Sequence, residues 1–72
     1  QNIFNVLSVG FEKSGVPLVT ILVHERPMCY RLPSEYKEWV MTLVGMANAG
    51  EKIFPNEVMF SVVAGKYYAD IL

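Results

Sequence analysis

Cysteine and histidine each occur once in these 72 residues. Cys29 therefore has no partner for an internal disulfide, and with His24 it supplies too few ligands for a four-coordinate zinc site within the chain. A scaffold without a disulfide framework is at home in a reducing compartment, so a cytoplasmic location is the expectation. Charge is scarce too, at 18% of residues with a net value of −1. Lys13, Arg26, Arg31, Lys37, Lys52 and Lys66 stand singly, and without a basic run there is little counterion release to drive nucleic-acid binding. Glu12, Glu25, Glu35, Glu38, Glu51, Glu57 and Asp70 are equally scattered, which reads as solvated surface and capping rather than a paired-carboxylate site. Long apolar runs are missing. The longest, residues 16–23, is broken by Pro17 and Thr20 and falls far short of the ~20 residues that span a bilayer, so no membrane segment is expected. No basic region followed by an apolar stretch and a small-residue cleavage site opens the chain, and export is unsupported.

What the chain has in abundance is apolar residues, 53% of the total. A single domain over residues 1–72 buries a smaller share of its unfolded surface than a larger protein does, so its own core is marginal. Residues 3–12 and 16–25 are rich in Val, Ile, Leu and Phe, and Lys13-Ser14-Gly15 between them reads as a turn in which Gly15 takes a positive φ. A two-residue loop sets Phe11 opposite Leu18 and Val9 opposite Thr20, and a three-residue loop shifts the pairing by one. Both registers leave apolar residues on each face of the ribbon. Pro17, lacking an N–H, belongs at a sheet edge or at the first residue of its strand. Residues 28–32 give a third strand after Glu25-Arg26-Pro27, where proline argues against a tight primed turn at Arg26-Pro27 and for a wider loop or a bend. Gly10 inside the first strand marks a bulge or a close backbone approach.

One helix follows. Ser34 is its expected N-cap, Glu35 and Glu38 sit near the positive end of its dipole, and Gly50 stands at the C′ position. Tyr36, Trp39, Val40, Leu43 and Ala47 recur at helical spacing as the stripe that lies on the sheet, with Val44 and Met46 on its flanks. Residues 57–63 and 66–72 complete the pattern as two strands joined at Ala64-Gly65. The expected architecture is α+β, an antiparallel sheet of about five strands in βββαββ order with the helix on one face.

One helix and strands apolar on both faces leave a sheet surface larger than monomers normally expose, which points to self-association, most simply a homodimer, or to an obligate protein partner. Opposite the core stripe, the helix carries Glu38, Met41, Thr42, Gly45, Asn48 and Ala49. A mid-helix glycine costs ~1 kcal/mol relative to alanine. Met41, Thr42, Gly45 and Ala49 are therefore the candidate helix contact, where small side chains let another backbone approach. Tyr67 and Tyr68 are the candidate anchors at the exposed end of the sheet, since tyrosine is enriched at interfaces. His24 and Cys29 form the one pairing with nucleophilic potential, yet nothing supplies an orienting group or an oxyanion hole, and no catalytic role is expected. Tyr67, Tyr68, Tyr30, Trp39 and Phe60 invite a base-stacking reading if Lys66 and Arg31 share a surface with Tyr67 and Tyr68, but no ribonucleoprotein signature accompanies them, and core packing explains Phe60 and Trp39. The composition thus favours a small non-enzymatic interaction module without cofactor or metal, a regulator or inhibitor acting by steric binding, with a dimeric nucleic-acid-binding protein as the alternative.

Overall fold

The computed structural model describes residues 2–72. Five strands, β1 (Ile3–Phe11), β2 (Pro17–Val23), β3 (Arg26–Arg31), β4 (Asn56–Val63) and β5 (Lys66–Ile71), form one antiparallel sheet in the order β3-β2-β1-β4-β5. Between β3 and β4 the chain makes a 3₁₀ turn, Ser34–Tyr36, and the helix α1 (Lys37–Asn48), then returns to pair β4 with β1. The expected βββαββ layer is therefore present, with β1 at the centre and β3 and β5 at the edges.

Local chemistry explains most of the joints. Lys13-Ser14-Gly15 is the three-residue loop: Gly15 N–H donates to Glu12 O, Glu12 N–H donates to Val16 O, and Gly15 takes φ 93°. The register next to it follows, with Gly10 opposite Leu18 and Phe11 opposite Pro17, the first residue of β2. The turn between β2 and β3 differs from the sequence reading. It is a tight two-residue turn at His24-Glu25, both at positive φ (48° and 65°), and β3 begins at Arg26 with Pro27 already paired with Leu22. Pro27 is tolerated because Leu32 N–H donates to Pro17 O, so even-numbered residues of β3 bond to β2 and position 27 points its missing N–H away from the sheet. Ala64-Gly65 makes the matching two-residue turn between β4 and β5 at φ 52° and 77°.

The bulge lies at Leu7, not at Gly10, where an added Cβ would meet nothing within 4 Å. Its effect is to sort the faces. Phe4 and Val6 before it, and Val9 and Phe11 after it, share the helix side, while Ser8 and Gly10 are shifted to the other side. The open face accordingly alternates Ile3, Leu18, Leu22, Met59 and Val63 with Asn5, Ser8, Thr20, Glu57 and Ser61. It is mixed rather than uniformly apolar, which revises the expectation of two apolar faces.

On the covered face Val6, Val19, Ile21 and Val58 form the core under Val40 and Leu43 of α1, and Tyr36 is buried beside them. The helix starts differently from the expected N-cap: Ser34 makes no capping hydrogen bond, and the 3₁₀ turn supplies the entry, with Lys37 N–H donating to Ser34 O. The exit is as read, since Gly50 at φ 91° donates to Ala47 O and Glu51 N–H donates to Met46 O, the paired bonds of a Schellman end. Among the described residues no helix is long and apolar enough to cross a membrane.

Candidate functional site: an uncharged groove between two hairpins

β1 divides its pairing. Residues 6–11 bond to β2 and residues 3–6 bond to β4, so beyond Val6 the β2-β3 hairpin and the β4-β5 hairpin diverge on either side of the start of β1. Both hairpin turns, His24-Glu25 and Ala64-Gly65, lie at this end of the sheet. The helix covers the opposite part, over β1 and β2, and leaves the space between the hairpins open on its own side.

That space is an open groove of about 690 Å³. Val23, Tyr30 and Leu32 wall it from one hairpin, Phe60, Val62 and Tyr67 from the other, and Phe4 and Tyr36 lie between. None of the residues lining it is charged. Its aromatic wall packs edge to face: Tyr36 meets Phe60 at 5.5 Å and Tyr67 at 5.6 Å between centroids, and behind the wall Trp39 meets Phe60 at 5.6 Å. Tyr36 also ties the helix entry to the far hairpin. Its hydroxyl donates to Tyr68 O at 2.9 Å, with Ser61 O at 3.4 Å, and burial pushes the phenol above its ordinary 10.0, with neighbouring Tyr67 adding to the shift. On the other hairpin, Arg31 Nε donates to Glu12 Oε2 at 2.6 Å, and this bond, helped by Ser14, holds the Glu12 carboxyl below its ordinary value.

The candidates read from the sequence fall on three surfaces. Met41, Thr42, Gly45 and Ala49 are all exposed on the outer side of α1; Thr42 Oγ1 donates to Glu38 O, and a Cβ at Gly45 would meet nothing within 4 Å. Tyr67 and Tyr68 are separated by the strand's alternation, Tyr67 in the groove wall and Tyr68 on the open face at 44% exposure. Of the aromatics that invite a stacking reading, Tyr30, Phe60 and Tyr67 do come together in the groove, but no sequence signal marks the groove itself, whose exposed wall residues include Phe4, Tyr30 and Val62. Their exposures of 39%, 45% and 59% are the signal that the core does not claim them.

Two other constellations are not assembled. Cys29 pairs with Thr20, four positions along the ladder from the turn that holds His24, or roughly 13 Å. Arg31 and Lys66 lie on opposite edges of the sheet with three strands between them, so the basic-aromatic platform does not form. A second, smaller recess of about 420 Å³ lies between β1, α1 and the 51–54 connection, lined by Val9, Leu43, Val44 and Phe54 among others. Among the described residues no cluster of His, Cys, Asp or Glu has the arrangement of a metal site.

Compared with known protein families, with curated proteins and with solved structures, the chain matches none.

Proposed function

We propose that this protein is a non-enzymatic interaction module that works as a homodimer and binds a partner protein sterically, receiving the partner's apolar side chains in the groove between its hairpins. The observation that carries the reading is the groove's chemistry: about 690 Å³, aromatic-walled, without a charged residue, and open to solvent. A small-molecule site encloses most of its ligand's surface, whereas an open trough rimmed by tyrosines suits side chains presented by another protein. Surface area points the same way. The exposed surface is 5168 Å², against about 4,500 Å² expected for a monomer of this mass. That excess of about 700 Å² approaches the ~800 Å² each partner buries in a standard interface.

A charge at the groove's exposed rim tests the reading. Val62→Asp should abolish capture of a partner that the wild-type chain retains, while Asn5→Asp, the same charge on the open face, should leave capture intact. Equal capture by wild type and Val62→Asp would overturn the groove as the binding surface. The helix face of Met41, Thr42, Gly45 and Ala49 is the alternative self-contact, and Gly45→Leu weakens dimerisation only if that face is used.

A further inference from the structure

We infer that the homodimer forms by antiparallel pairing of β5 with β5 of a second copy, in the register that sets Lys66 opposite Asp70 of that copy. The inference rests on the homodimer of the preceding section and names its surface. It begins from which backbone groups the edge leaves free. Leu72 N–H donates to Glu57 O, directly across the ladder, so even-numbered residues of β5 bond to β4. Tyr67, Ala69 and Ile71 therefore point their N–H and C=O groups outward from the sheet.

An antiparallel partner must match outward groups with outward groups, which excludes every register shifted by an odd number of residues. Among those that remain, pairing centred on Tyr68 places Tyr67 opposite Ala69 of the second copy, a hydrogen-bonded pair that exchanges both N–H···O bonds. The same register places Lys66 opposite Asp70 of the second copy, and by the two-fold symmetry Asp70 opposite its Lys66, both as close non-hydrogen-bonded pairs on the open face. Tyr68 then meets its own copy. Sliding two residues either way sets Lys66 against Tyr68 or Leu72 and leaves both charges without an opposite partner. Large against small at Tyr67 and Ala69, and positive against negative at Lys66 and Asp70, make this edge complementary to itself.

The other edge has no such complementarity. Pro27 occupies an outward position of β3 and removes a donor, while the strand's own charges are both basic, Arg26 and Arg31, the latter already engaged by Glu12, so β3 carries no acid to set against them. Pairing of β3 with itself lacks both a bond and a counter-charge.

Light scattering after size exclusion, at several concentrations and moderate salt, tests the assignment on the wild type, Lys66→Asp, and the swap Lys66→Asp with Asp70→Lys. The expected result is a dimer whose dissociation constant rises about tenfold or more in the single reversal and returns to within a few-fold of wild type in the swap. Recovery in the swap also excludes misfolding as the cause. In a Cys29→Ser background, Tyr68→Cys should cross-link under mild oxidation, because facing residues of a non-hydrogen-bonded pair lie within disulfide reach, and Met41→Cys should not. A dimer indifferent to the reversal that cross-links through Met41→Cys would overturn the edge pairing and leave the homodimer standing. A monomer at every concentration would overturn both, with groove binding still judged by the Val62→Asp comparison.

Discussion

The two hairpins that flank β1 are built on the same plan and finished in opposite ways. Each has a two-residue turn with both residues at positive φ, and each lends one strand to the edge of the sheet. The β2-β3 hairpin spends two residues with side chains, His24 and Glu25, in the left-handed region, then blunts its edge with Pro27. The β4-β5 hairpin eases its turn with Gly65, is held from the helix side by the Tyr36 hydroxyl, and leaves a full row of donors and acceptors along β5. An exposed edge strand invites pairing, and the donor missing at Pro27 makes β3 the poorer template of the two edges.

Opening the closed edge should have the largest effect on that contrast. Pro27→Thr restores an outward N–H on β3, so the protein should grow beyond a dimer as concentration rises, seen as increasing mass in light scattering; a mass distribution identical to wild type would mean Pro27 does not guard that edge. Next in size is the turn. Glu25→Gly should raise stability by about 1 kcal/mol in chemical denaturation, because it removes a side chain from the left-handed region, whereas the same substitution has no counterpart at Gly65, where the site is already relieved.

Similar in size is the tie between helix entry and the β4-β5 hairpin. Tyr36→Phe should cost about 1 kcal/mol by deleting the hydroxyl that donates to Tyr68 O. It should also alter the alkaline limb. The folded state raises the Tyr36 value above its ordinary 10.0, so its stabilisation is fully present below that pH and is lost as pH rises through the shifted value. The substitution should flatten that decline, and an unchanged alkaline unfolding profile would remove the tie from the account.

Much of this was legible in the residues and some was not, for identifiable reasons. The three-residue loop at Lys13-Ser14-Gly15, the turn at Ala64-Gly65 and the Schellman end at Gly50 each contain a glycine at positive φ, a signal that survives without tertiary context. The turn at His24-Glu25 carries no glycine or asparagine, and Pro27 beside it suggested a wider loop. The outward phase of position 27, which makes proline harmless there, depends on which neighbour β3 bonds to. The bulge fell at Leu7, an ordinary strand residue, while the glycine three positions on lies in open space. Nothing in the local sequence distinguishes the two. Of the candidate site, Tyr67 and Tyr68 were visible as paired tyrosines, but their assignment to opposite faces waits on the register with β4.

Periodicity and turn chemistry act over a few residues, and they suffice for the element order, the shortage of charge and the buried heart of the helix stripe at Val40 and Leu43, though Ala47 at its end is exposed and Tyr36 enters from the 3₁₀ turn. Only the long-range pairing placed β1 at the centre, divided its bonding between two hairpins, opened an uncharged groove where they diverge, and put Pro27 at an outward position of one edge strand while β5 kept all its outward N–H groups. Those outcomes depend on which strand bonds to which, and in which phase. That is settled by long-range hydrogen bonding and burial rather than by any local pattern.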